Sequence, residues 1–197
     1  MQERVYAATL AVTGTIRPHQ DGKRVTIILD DGSMLTAKIR AFQRPKLTPQ
    51  LIGERLELHL WPRTDEQGVL LPTTQLYKWR PATKATNRFQ ITGRLVRRKK
   101  KLSRAVILIR RNQQGNLTRE FTLEAHLSDN VITSLPKALP PGARNNQGVT
   151  LEGFLVNGHL VAVTLELARL ATPKPIKERR DRNTTGRAPT YRTRSAA

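Results

Sequence analysis

The chain contains no cysteine in its 197 residues. This absence excludes disulfides, cysteine-ligated zinc and thiol catalysis, and it is typical of proteins from a reducing compartment. Long apolar runs are missing as well, since no stretch approaches the roughly 18 residues of a membrane-spanning helix, and residues 1–4 lack the pattern of a signal peptide. We therefore expect a cytoplasmic protein without a membrane partner.

Aromatic and acidic residues are scarce. Phe, Trp and Tyr make up 5% of the chain, and 35 Lys and Arg stand against only 15 Asp and Glu, for a formal net charge of +20. A charge of this size predicts a polyanionic partner, above all nucleic acid. Because stacking residues are few, contacts to phosphates should dominate, which favours RNA over single-stranded DNA.

Residue patterns of catalysis are missing too. The four histidines lack metal-ligand spacing, and the sequence contains neither a glycine-rich phosphate loop nor a nucleophile with a partner base. The paired carboxylates Asp30-Asp31 and Asp65-Glu66 are of the type that binds Mg²⁺, but both pairs lie in predicted turns, where Asp has a local hydrogen-bonding role. The sequence therefore predicts a non-enzymatic protein with no cofactor and no metal site.

What the chain does contain is a repeat. The segment Val12–Ile16 (VTGTI) returns 79 residues later as Ile91–Leu95 (ITGRL), and each copy begins a series of runs with the alternation of half-buried strands. Gly32 and the dipeptide Asn157-Gly158 predict tight hairpin turns with positive φ. The predicted strands are Leu10–Ile16, Arg24–Leu29, Leu35–Ile39, Leu56–Trp61 and Val69–Trp79 in the first copy, and Phe89–Leu95, Ala105–Arg111, Phe121–Ala125, Val149–Val156 and His159–Leu170 in the second, with a short helix near Asp129–Leu135.

Three strands, an irregular insertion and a final hairpin form an order that resembles the oligonucleotide/oligosaccharide-binding (OB) fold family. The resemblance implies an all-β chain with minor α content: a first five-stranded OB-like barrel at residues 1–80, a linker at 81–87 and a second barrel at 88–170. An SH3-like or other small barrel has nearly the same pattern. Residues 171–197 hold eight basic and two acidic side chains and almost no large aliphatic ones, which predicts a disordered basic tail.

OB folds bind ligands across their second and third strands, between the loops that follow strands 1 and 4. In the second copy the first of these loops is predicted at Arg97–Arg104, where six of eight residues are cationic, and we expect it to grip phosphates together with the tail. In the first copy, Tyr77 and Trp79 are predicted to share one strand face. The candidate nucleic-acid ligands are Arg94, Arg97, Arg98, Lys99, Lys100, Lys101, Arg104, Arg110, Arg111 and Arg119 in the second copy, Lys23, Arg24, Lys38, Arg40, Trp61 and Tyr77 in the first, and Arg179, Arg180 and Arg182 in the tail.

Two further expectations concern how the surface is used. If Leu123 faces the core, Glu120, Glu124 and His126 face outward, so part of the second copy's binding face is acidic. The alternative function is an adaptor module whose basic surface docks an acidic protein or a ribonucleoprotein assembly. The oligomeric state stays open.

Overall fold

The computed structural model describes residues 3–41, 43, 49–99, 103–111, 119–134 and 147–171, without the side chains of residues 97–99, 134 and 147. Within these ranges the chain is all-β with one short helix, which confirms the predicted class. The strands are β1 Glu3–Arg4, β2 Ala7–Pro18, β3 Arg24–Leu29, β4 Met34–Lys38, β5 Leu56–Trp61, β6 Thr73–Pro81, β7 Asn87–Lys99, β8 Arg104–Ile109, β9 Phe121–Leu127, β10 Gln147–Val156 and β11 His159–Leu170. The helix α1 is Asp129–Ser134, and a single 3-10 turn lies at Pro49–Leu51.

The two copies of the repeat share one strand order. In the first half, β2 pairs antiparallel with β3 on one side and with β5 on the other. β3 pairs antiparallel with β4, and β5 pairs antiparallel with β6. Because β4 and β6 pair in parallel, the five strands form a closed ring. In the second half, β7 to β11 repeat this ring, with β9 and β11 as the parallel pair. The sequence repeat therefore corresponds to a repeat of topology.

The two halves are joined through the repeated strand itself. β2 pairs antiparallel with β7 from Ala7 opposite Thr92 to Val12 opposite Asn87. Within this ladder Leu10 lies opposite Phe89, and these two residues are equivalent positions of the repeat. A pseudo-two-fold axis therefore passes through that pair. The short strand β1 adds a second link between the halves, because it pairs in parallel with β11.

The glycine of the repeated motif is required by a close approach of neighbouring backbone. A Cβ atom on Gly93 would lie 2.5 Å from the carbonyl oxygen of Leu108 in β8, and a Cβ atom on Gly14 would collide with the carbonyl oxygen of Ile28 in β3. Glycine in a strand interior often marks such a contact at a bend. The preceding Thr13 is buried, and its hydroxyl accepts a hydrogen bond from the Thr86 N–H at 2.8 Å, which ties the predicted linker to β2.

Burial follows the predicted alternation. In β3, Val25, Ile27 and Leu29 point to the core while the residues between them are partly exposed. The hairpin predictions are also confirmed, because Gly32 has φ 81° and the Asn157-Gly158 turn has φ values of 49° and 77°.

Several strand boundaries differ from the prediction, and two of the differences affect the candidate site or the groove beside it. β7 continues to Lys99, so Arg97, Arg98 and Lys99 belong to a strand, opposite Val106, Ala105 and Arg104, and are not part of a loop. Charge density indicated a loop, but the ladder is made by backbone N–H and C=O groups, which Arg and Lys supply as other residues do. At the other boundary, Val69 does not begin a strand: the chain turns back through an isolated bridge between Thr64 and Leu70, and β6 starts at Thr73.

Candidate nucleic-acid interface

A row of four residues crosses the outer face of the first half. Arg24 in β3 lies opposite Lys38 in β4, Lys38 lies opposite Gln75 in β6, and Gln75 lies opposite Trp61 in β5. Directly opposed residues project from the same side of a sheet, and their strand neighbours Ala37, Leu60 and Leu76 are buried on the other side. At about 4.8 Å between strands, the cross-strand row spans roughly 14 Å and carries two cations, an amide and an indole.

Trp61 is the centre of an aromatic cluster at one end of the row. The Tyr77 ring stacks on it with centroids 4.8 Å apart and planes 16° from parallel. The guanidinium carbon of Arg40 lies 4.6 Å from the centroid of a Trp61 ring, and His59 extends the cluster at 5.9 Å from Tyr77. The cluster therefore places a phenol ring and a guanidinium group against the Trp61 indole.

A β-bulge creates this cluster. His59 pairs with Lys78 while the next residue, Leu60, pairs with Leu76, so Tyr77 is an extra residue on β6. The extra residue shifts the alternation by one position. Tyr77 therefore stacks on the outer face while Trp79 packs against the core. The expectation that Tyr77 and Trp79 share a face is wrong for this reason.

Buried Gln43 supports two members of the cluster. Its Nε2 donates to the Tyr77 carbonyl oxygen at 2.8 Å, and its Oε1 accepts from the Arg40 N–H at 3.1 Å. Because Gln43 is only 3% exposed, these bonds are shielded from water and fix the backbone of both residues. Sequence reasoning missed Gln43, since nothing in the irregular segment around it indicates its partners.

The basic end of the row is ordered by Asp21. Its carboxylate accepts hydrogen bonds from the backbone N–H of Lys23 at 2.9 Å and from the Arg24 Nε at 2.7 Å. These bonds, the backbone bond to Lys23 first, lower the pKa of Asp21 to about 2. Lys23, Lys38 and Arg40 are exposed around an open cleft that Gln75 also lines. Every first-half candidate from the sequence therefore lies on this one face.

The second-half candidates are more dispersed. Arg104 forms an ion pair at 2.7 Å with Glu124. Glu124 lies on the strand face opposite buried Leu123, but it is buried and not exposed, because residues 64–70 of the first half cover β9. Arg110 lies 3.8 Å from Glu120. Arg94 and Arg110 both act on the pKa of buried Tyr6, which desolvation raises and the two guanidinium charges lower.

The remaining candidates divide into exposed and undescribed residues. Arg111 and Arg119 are exposed. Only the backbone is described for Arg97, Arg98 and Lys99, and Lys100, Lys101, Arg179, Arg180 and Arg182, with nearly all of the predicted tail, lie outside the described residues.

Three carboxylates of the predicted turns have partners within the protein. Asp30 pairs with Arg55 at 2.6 Å, Asp31 accepts from the Ser33 N–H at 2.9 Å, and Asp65 accepts from the Val69 N–H at 2.8 Å. Across the described ranges, no group of three or more His, Asp and Glu side chains is arranged to hold a metal ion. Nor does the described part of the chain include a helix with the length and apolar character needed to cross a membrane.

No protein-family model matches this chain, and no curated protein matches it in sequence.

The outer face of the first half nevertheless has a definite chemistry. Its cations suit phosphates, and its stacked rings suit the flat face of a base. The Gln75 amide is already used within the protein, because its Nε2 donates to the Lys38 carbonyl oxygen at 2.9 Å.

Proposed function

We propose that this protein is a non-enzymatic binder of single-stranded nucleic acid, RNA before DNA, and that each strand ring is an OB-type barrel. The observation that carries the proposal is the cross-strand row Arg24–Lys38–Gln75–Trp61 with Tyr77 stacked at its end. Its basic half lies on β3 and β4, which correspond to the second and third strands of an OB barrel, where such folds bind their ligands; its other half lies on β6 and β5.

The row supports backbone binding with base stacking. Phosphates would lie against Lys23, Lys38 and Arg40, and a base would stack on the exposed part of the Trp61 and Tyr77 cluster. One stacked base contributes about 1–3 kcal/mol and tolerates any base identity. Because the Gln75 amide bonds to the protein itself, the row offers little hydrogen-bonding readout of base edges, and we expect weak sequence preference.

The second half and the tail carry further positive charge. The arginines and lysines from Arg97 to Lys101 and those of residues 171–197 are numerous enough to raise affinity for any polyanion. Their contribution should be general and strongly dependent on salt, whereas the first-half face should distinguish single strands from duplexes, since a paired base offers no free face for stacking.

The test is a binding series with fluorescently labelled homopolymers of RNA and DNA and with a duplex of equal length. Trp61→Ala should weaken single-strand binding by about 1–3 kcal/mol and leave the salt dependence unchanged, whereas Lys38→Ala should lower the slope of log K against log salt by about 0.7. The matched control is Arg55→Ala, which removes an exposed cation at the opposite end of β5 from Trp61.

The fluorescence of Trp61 also reports nucleic-acid binding directly. The chain has two tryptophans, so Trp79→Phe leaves Trp61 as the single fluorophore. Quenching of Trp61 by a single strand, stronger than by the duplex, is the expected result. If Trp61→Ala and Lys38→Ala bind single strands as Arg55→Ala does, the assignment of this face is refuted.

A further inference from the structure

Beside the row, a surface groove lies between the two halves. Arg40, Trp61 and Arg63 of the first half line one wall, and Arg119 and Phe121 of the second half line the other. Ala8 lies at its base, in the part of β2 that pairs with β7. The groove measures about 560 Å³, within the size range of clefts that hold small organic ligands, and a nucleotide belongs to that class.

The groove walls are held together by direct bonds. Residues 62–71, between β5 and β6, fold back onto β9: the Thr64 hydroxyl donates to the Thr122 carbonyl oxygen at 2.7 Å. The Glu124 N–H donates to the Gly68 carbonyl oxygen, also at 2.7 Å. We call this segment the docked hairpin. Because Arg63 belongs to it, Arg63 has a defined position relative to Arg119 across the groove.

The charges of the groove favour an anion. Arg40, Arg63 and Arg119 are exposed. Of the described residues that line the groove, only Glu120 is acidic, and it lies 3.8 Å from the guanidinium of Arg110. Among the described residues, the Arg63 guanidinium donates to the Gln75 Oε1 at a long distance of 3.4 Å. The groove is continuous with the basic cleft of the row, since Arg40 and Gln75 line both.

We infer that one nucleic-acid strand occupies the row and the groove together, with phosphates on Arg63 and Arg119, so that the two halves form a single composite site. This inference rests on the proposed function. It assigns binding roles to Arg63 and Arg119 and a positioning role to the docked hairpin. It also requires that affinity depend on strand length, because a short strand fills the row alone.

The test compares two strand lengths, about 4 and about 12 nucleotides, which lie within the site sizes of OB folds. In the double variant Arg63→Ala/Arg119→Ala, the longer strand should bind more weakly, with a salt slope lower by about 1.4, or about 0.7 for each lost phosphate contact. The short strand should bind as it does to the unmodified protein.

The charge-matched control is Arg55→Ala/Arg88→Ala. Arg88 is exposed and lies opposite Ala11, whose side chain projects from the sheet face opposite that of Ala8. The control should lose no length-dependent affinity. Arg119→Lys in the presence of Arg63 should retain most of the slope, whereas Arg119→Glu should weaken binding of the longer strand more than Arg119→Ala does.

The outcomes separate the two proposals. If the unmodified protein binds neither strand, the proposed function fails. If it binds both, and Arg63→Ala/Arg119→Ala matches the control at both lengths, the composite site is refuted while the row remains. Equal losses at both lengths would also contradict the inference, because Arg63 and Arg119 would then belong to the minimal site.

Discussion

Replacing Gly93 by alanine tests the reason for the repeated motif. The added Cβ would lie 2.5 Å from the Leu108 carbonyl oxygen and 2.6 Å from the Ile107 Cγ2, where ordinary van der Waals contact begins near 3.4 Å. β7 and β8 would therefore have to separate by about 0.9 Å, which is the difference between the contact distance of 3.4 Å and the 2.5 Å to the Leu108 oxygen. The side chain of Ile107 can rotate, but the Leu108 carbonyl cannot move independently of its strand.

The loss in free energy of unfolding follows from that obstruction. β8 is held on both edges, by β7 and by β9, so little relaxation is available. Overpacking of a core costs about 1–3 kcal/mol, and an obstruction by backbone belongs at the upper end, about 3 kcal/mol. For a chain of this size about 2–4 °C of melting temperature correspond to 1 kcal/mol, so Gly93→Ala should lower it by about 6–12 °C.

Far-ultraviolet circular dichroism during thermal and urea unfolding measures this shift. Gly14→Ala should behave in the same way, because its Cβ would meet the Ile28 carbonyl oxygen of β3. The control is Gly158→Asn: position 158 has φ 77° with no atom within 4 Å of a Cβ, and Asn tolerates that conformation. A melting temperature of Gly93→Ala equal to that of the control would refute the steric reasoning.

Three other predictions follow from single contacts. Burial alone would raise the pKa of Glu57, but hydrogen bonds and charge from Arg80, with smaller contributions from His59, outweigh it and hold that pKa below its usual value; the stabilisation is therefore present above the unfolded pKa of about 4.3. The melting temperature of Arg80→Ala should thus fall furthest below that of the unmodified protein at neutral pH, and thermal melts from pH 7 to 3 should show the gap narrowing as Glu57 is protonated. Thr92 and Thr150 share a buried hydrogen bond of 3.0 Å, so Thr92→Val should cost about 1–3 kcal/mol in urea unfolding while Thr92→Val/Thr150→Val should cost less; a double variant less stable than the single one would contradict this. Glu120→Gln should tighten binding of the longer nucleic-acid strand with little effect on the shorter one. Equal affinities of the Glu120→Gln variant and the unmodified protein for the longer strand would count against a phosphate in the groove.

Much of the first-half face was predictable from local pattern. The strands Arg24–Leu29 and Leu56–Trp61 begin and end where alternation and turns place them. Lys38 and Trp61 are recognisable as outward positions because side chains alternate along a strand. Their proximity was not predictable, since it depends on the registers of β4, β6 and β5, which are set by pairing between segments distant in the chain.

The errors have the same origin. A bulge at Tyr77 reverses the alternation that places Trp79, and no local signal marks which residue of a strand will be the extra one. Glu124 has the sequence pattern of an outward residue, but residues 64–70 from the other half cover it. Arg63 was missed because its relation to Arg119 exists only after the docked hairpin contacts β9.

The sequence by itself determined the charge of this protein, its all-β class and the repetition of the Thr-Gly strand, because composition and alternation are properties of short segments. Only the tertiary structure decided what the repeat does. It places Leu10 opposite Phe89 on a pseudo-two-fold axis, presses the backbones of β3 and β8 against Gly14 and Gly93, and unites the two halves around one groove. These relations arise from contacts between residues far apart in the chain, and such contacts form only when the strands pair.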